Sequence, residues 1–126
     1  MENKKVVLSI DDNPQQLQEF KAILGARYDF RAVKSASEAI SFLNANKVDV
    51  VLLDILMPNI SGFEFLDDIR KIPSYMDVPI IIVSGNTDAD FLTKAGSLKT
   101  SGVLAKPVKA EVIVKAIEKA LAVNTE

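Results

Sequence analysis

The chain has no cysteine and no histidine among its 126 residues. Without thiols there is no disulfide framework and no thiolate metal centre, which suits a reducing compartment. Without imidazole, histidine zinc sites and histidine-based triads are excluded. Acid–base chemistry then falls to carboxylates, lysine, tyrosine or water. Blocks of one charge are missing as well. Lys and Arg total 15 against 17 Asp and Glu, a net charge of −2. That balance, without a basic stretch, argues against a nucleic-acid partner. Long apolar runs are also lacking. The start, MENKKVVLSIDD, returns to charge too soon for a secretory leader or a membrane span. The expected setting is cytoplasmic, away from any membrane.

What is present is an ordinary globular composition, 48% hydrophobic and 25% charged. It predicts one domain over residues 1–126 with a sizeable core. Apolar runs alternate with helical patterns from end to end. Strands are expected at Val6–Ile10, Tyr28–Val33, Val48–Leu53, Val78–Val83 and Val103–Ala105. Between them, Asn13-Pro14 opens a helix carrying Leu17, Phe20 and Leu24, with Gly25 at its end. Ser35 and Glu38 form a capping box before Ala39, Ile40 and Leu43. Ser61 and Glu64 form a second before Phe65, Leu66 and Ile69, and Pro73 closes that helix. A fourth helix is expected from about Asp88 to Leu98, capped by Thr87. Ile113, Ile117 and Leu121 stripe a fifth. Near-continuous apolar strands imply burial on both faces. The predicted fold is therefore α/β, (βα)5, a parallel sheet between two helical layers with right-handed crossovers.

Polar residues stand where these strands end: Asp11 and Asp12, Asp54, Ser84 and Lys106. In open α/β folds that edge holds the binding site. Asp12 and Asn13 alone would read as a helix cap, and Asp54 alone as the start of a loop. Together they predict three converging carboxylates, whose repulsion a divalent cation would relieve. Carboxylate oxygens without His or Cys favour Mg²⁺. The turn residues after Asp54, in DILMPNISG, leave its carboxylate exposed to a small donor. It can act as a nucleophile towards phosphorus. Ser84 offers a hydroxyl, and Gly85 leaves room beside it. Lys106 offers an ammonium before Pro107, where a fixed turn with an optional cis bond is expected.

The ordered set Asp11-Asp12, Asp54 with Met57-Pro58 and Gly62, Ser84-Gly85 and Lys106-Pro107 resembles the receiver domain of two-component response regulators, the single-domain chemotaxis type in particular. The resemblance spans essentially the whole chain. It implies a flavodoxin-like, doubly wound sheet of order 2-1-3-4-5. It also implies that Asp54 takes a phosphoryl group from a histidine kinase or phosphotransfer protein. Asp12, Asp54 and the Leu56 backbone carbonyl would bind Mg²⁺, with Asp11 acting largely through water. Ser84 and Lys106 would contact the phosphoryl group. A downstream protein would read the result, and no turnover enzyme is implied.

Three positions depart from that family's usual pattern. Val103 stands where an aromatic is common, which puts the usual signalling route in doubt. Gly85 replaces a more frequent alanine. Leu56 is apolar where polar side chains are common, and is expected to slow dephosphorylation by screening the acyl phosphate. Candidate partner contacts are Phe91, Lys94, Val103, Lys115 and Lys119, each of which also reads as ordinary surface or core. Two further readings compete. One is a docking module or phosphate sink with a weakened switch. The other is a hydrolase, disfavoured because its nucleophile would follow the first strand in a DxD motif. A flavin site is disfavoured by the acidic first loop.

Overall fold

The computed structural model describes residues 4–55, 62–85, 93 and 100–124. Its elements run β1 (Val6–Ile10), α1 (Pro14–Leu24), β2 (Asp29–Val33), α2 (Ala36–Ala45), β3 (Val50–Asp54), α3 (Gly62–Arg70), a 3-10 turn (Pro73–Tyr75), β4 (Ile80–Ser84), β5 (Gly102–Ala105) and α4 (Ala110–Asn124). All strand pairs are parallel, in the order β2-β1-β3-β4-β5. This is the flavodoxin-like arrangement expected. The expected helix between Asp88 and Leu98, with Thr87, Phe91 and Lys94, lies outside the described residues. So do Leu56, Met57, Pro58 and Ser61.

Alternation along the central strands builds two cores. Leu8, Ile10, Val51, Leu53, Ile80 and Ile82 pack one face against Ala39 and Leu43 of α2 and Phe65, Leu66 and Ile69 of α3. Val7, Val50, Leu52, Ile81 and Val83 pack the other against Phe20 and Leu24 of α1 and Ile113 and Ile117 of α4. Most of these side chains are fully buried, and each of the larger ones contributes roughly 1.5–3 kcal/mol of hydrophobic transfer. The side chain of Asn13 caps α1 by accepting from the Gln15 N–H, and Pro14 occupies the first turn. Ser35 Oγ caps α2 by accepting from the Glu38 N–H at 3.2 Å.

β2 begins one residue later than the apolar pattern suggests, and β3 and β4 two. β3 starts at Val50 and β4 at Ile80. Val48 and Val78 are buried, but they lead into the sheet without pairing in it. The Asp49 carboxylate is the cause at β3: its Oδ2 accepts from the Val6 N–H at 2.8 Å. At β4, Pro79 has no N–H to give the ladder, while its carbonyl accepts from Val51. Gly25 stands at the end of α1 as expected. It ends α1 in right-handed geometry, with its N–H on the Lys21 carbonyl.

Polar clamps fix the amino-terminal edge of the sheet. The Tyr75 hydroxyl donates to the Asn46 carbonyl. The Arg70 guanidinium donates to the carbonyls of Tyr75 at 3.2 Å and Val78 at 2.6 Å, holding the segment that leads into β4.

Candidate phosphoacceptor site

The carboxyl ends of the strands hold the chemistry. β3 and β4 each run one residue past the apolar pattern, so Asp54 and Ser84 are the last residues of their strands, paired in register with Val83 and Ala105. Strand order reverses between β1 and β3, so Asp11, Asp12 and Asp54 meet at that reversal. One carboxylate oxygen from each lies within 4.8 Å of the others.

The three are not equivalent. Asp11 continues the ladder by one residue, its N–H donating to the Val33 carbonyl at 3.1 Å, and it is buried. Asp12 leaves the ladder and is exposed. Asp54 is buried at 7% exposure. Lys106 reaches in from the end of β5. Its Nζ lies 3.4 Å from Asp11 Oδ2 and 3.3 Å from Asp54 Oδ2. The Lys106-Pro107 peptide is cis. The Lys106 N–H donates to the Ser84 carbonyl at 2.9 Å, so hydroxyl and ammonium are carried on adjoining, hydrogen-bonded strand ends. Ser84 itself is fully buried.

Burial pushes the Asp11 carboxyl above the ordinary aspartate value. The Asn13 N–H, donating to Asp11 Oδ1 at 2.9 Å, pulls it down, and so does Lys106. The charge on Asp54 pushes it back up, and the net direction is upward. The Asn13 contact was not foreseen, although Asp-x-Asn before proline is a pattern in which a carboxylate accepts from the backbone two residues on. Three carboxylates against one ammonium leave the cluster negative. Its donors are hard oxygens, the set that suits Mg²⁺.

Of the expected partner contacts, Val103 is half-buried in β5 against the α2–α3 core, while Lys115 and Lys119 are exposed on α4. Among the described residues, no helix is long and apolar enough to cross a membrane.

Comparison with known proteins places the family and the fold. The family model for the response regulator receiver domain matches residues 7–118. A probable cyclic di-GMP phosphodiesterase of Vibrio cholerae serotype O1 is 31% identical over 84 residues, covering 67% of this chain and 19% of its own length. The transcriptional regulatory protein DegU of Brevibacillus brevis is 29% identical over 120 residues, covering 93% and 50% respectively. The chain thus spans at most half the length of these two relatives. Among solved structures, chemotaxis protein CheY4 of Vibrio cholerae superposes with a TM-score of 0.89 at 26% identity, covering 94% of this chain and 99% of that one. A CheY-like receiver domain protein of Methanospirillum hungatei gives 0.90 at 22% identity, covering 98% of both, a likeness of fold. A family model that matches residues 7–118, over a parallel sheet of order 2-1-3-4-5, makes this chain a member of the response regulator receiver domain family of two-component signalling.

Proposed function

We propose that Asp54 accepts a phosphoryl group from a histidine kinase or phosphotransfer protein in the presence of Mg²⁺, and that this changes the domain's affinity for a protein partner. One observation carries the reading. Lys106 Nζ sits between Asp11 and Asp54, and the three carboxylates converge at the strand-order reversal.

Asp11, Asp12 and Asp54 would hold the ion, together with the Leu56 carbonyl, which lies outside the described residues. When bound, the ion supplies positive charge against the negative charge of the phosphoryl oxygens. An Asp54 carboxylate oxygen forms the new bond to phosphorus as the donor's P–N bond breaks, and the departing imidazole nitrogen keeps that electron pair and takes a proton from solvent. Lys106 then exchanges its contact with Asp54 for one with a phosphoryl oxygen while retaining Asp11. The Ser84 hydroxyl donates to another phosphoryl oxygen. Because the Lys106 N–H is bonded to the Ser84 carbonyl, movement of one strand end is passed to the other.

A second reading is favoured by Val103. It is a short, β-branched side chain packed against the core, with little freedom to report events at Asp54. On that reading the domain docks without regard to phosphate, or drains phosphate from a shared kinase.

The test is incubation with acetyl phosphate, with and without Mg²⁺, followed by intact-mass measurement. Wild type is expected to gain one phosphoryl group only with the metal, and Asp54→Asn none. No adduct on wild type, or an equal adduct on the variant, refutes the proposal. Partner capture with and without a bound phosphoryl mimic then separates the two readings.

A further inference from the structure

β2 is an outer strand, and among the described residues it pairs with β1 alone. The Asp29 N–H donates inward to the Lys5 carbonyl, and the Val33 carbonyl accepts inward from Asp11. In a parallel ladder the inward-facing peptide groups alternate along the strand. Asp29, Arg31 and Val33 therefore bond to β1, and the N–H and C=O of Phe30 and Ala32 face outward.

A groove flanks this edge on each side. Towards α1 lies one of about 340 Å³, with Leu17, Phe30 and Ala32 as apolar lining and Lys21, Arg31 and Lys34 as charges. Its lining contains no acidic residue. Arg31 is held by Asp29 at 2.7 Å, whereas Lys21 and Lys34 are exposed. Towards α2 the flank is shallower and more open, about 410 Å³, meeting β2 at Val33 and lined otherwise by Ser37, Glu38, Ser41 and Phe42.

We infer that the β2 edge is a docking site for an extended acidic segment of a partner protein, which adds a strand outside β2. An added strand takes its affinity from main-chain hydrogen bonds and its specificity from pockets that receive alternate side chains. Side chains of an extended segment alternate between faces, so one set enters the basic groove and the other the groove with hydroxyls and an apolar wall. Acidic residues belong on the α1 side, opposite Lys21 and Lys34. A second copy of this chain is a poor occupant, because an antiparallel β2–β2 pair keeps α1 of both copies on one side of the sheet and so brings two basic grooves together. This surface is distinct from the acidic cluster, and the inference holds whether or not Asp54 accepts phosphate.

The probe is a capped peptide alternating Asp or Glu with Val or Thr, titrated into the full chain by NMR at low salt. The expected result is saturable binding, with a dissociation constant below about a millimolar, and slowed exchange at the Phe30 and Ala32 amides. Lys21→Glu with Lys34→Glu is expected to weaken binding by about tenfold or more. Ala32→Pro removes an outward N–H and leaves the β1 ladder intact, as edge strands tolerate. It is expected to abolish binding while leaving the thermal midpoint near that of wild type. Should Ala32→Pro fail to fold, amide protection in wild type decides alone. Absence of saturable binding overturns the inference. So does binding without protection at Phe30 and Ala32, or equal displacement by a single-stranded oligonucleotide, since either means adsorption to a basic patch.

Discussion

Replacing Asp11 with asparagine should make the metal-free protein more stable. At an effective dielectric of about 20, the Asp54 charge repels that of Asp11 by about 3.5 kcal/mol at the 4.8 Å limit of their spacing. Lys106, at 3.4 Å, attracts it by about 5 kcal/mol on the same scale. Asp12 adds a smaller, solvent-screened repulsion. These contributions nearly cancel, so burial of Asp11 at 2% exposure decides the sign, in line with its raised pKa. Asparagine keeps an acceptor for the Asn13 N–H and carries no charge. The expected gain in EDTA at neutral pH is roughly 1–2 kcal/mol. That corresponds to about 3–6 °C in the thermal midpoint per kcal/mol for a domain of this size.

The pH dependence follows from the raised pKa. An ionised Asp11 opposes folding, and that opposition is complete above its folded pKa. It fades as pH falls through that value and vanishes below the unfolded value of 3.8. The advantage of Asp11→Asn should fade over the same interval. Magnesium should reverse the order. A ligand at 100 times its dissociation constant adds about 2.7 kcal/mol to wild type, and the variant, with one carboxylate fewer, should gain less. Differential scanning calorimetry in EDTA and in saturating Mg²⁺ reads both. An Asp11→Asn protein less stable than wild type in EDTA at neutral pH, or stabilised equally by the metal, would refute the reasoning.

Other expectations follow from single contacts. Lys106→Ala leaves Asp11 and Asp54 buried without their cation. With Lys106 itself 25% exposed, the loss should be about 1–3 kcal/mol in urea melts, and the Mg²⁺-induced gain should grow. Gly85→Ala meets nothing within 4 Å, so unfolding stability should be unchanged or improved by up to about 1 kcal/mol. Gly102→Ala should instead cost about 1–3 kcal/mol by the same measurement, because Gly102 enters β5 at φ 156.

The site was legible because its residues punctuate apolar runs. Asp11, Asp54, Ser84 and Lys106 each interrupt a hydrophobic stretch, and parallel topology brings such interruptions to one edge. The helix caps at Asn13 and Ser35 were legible for the same local reason. Long-range pairing was not. The pattern includes Val48 and Val78 because burial and strand membership look alike in a string of apolar residues. Asp49 bonding to Val6 and Pro79 lacking an N–H decide the boundary only once β1 and β3 lie side by side. The unlike fates of Asp11 and Asp12 depend on where the ladder to β2 stops. The basic groove beside β2 joins Lys21 to Lys34 across two elements, which no local motif marks.

The clamps made by Tyr75, Arg70 and Asp49 give the domain two ends with different duties. Roughly 17 Å of five-residue strand separates them from the aspartates. One rim is tied by hydrogen bonds, while the opposite rim carries crowded carboxylates. Damage to the anchors should therefore shorten the lifetime of the folded molecule, whereas loss of the Asp11 charge at the acidic rim should lengthen it.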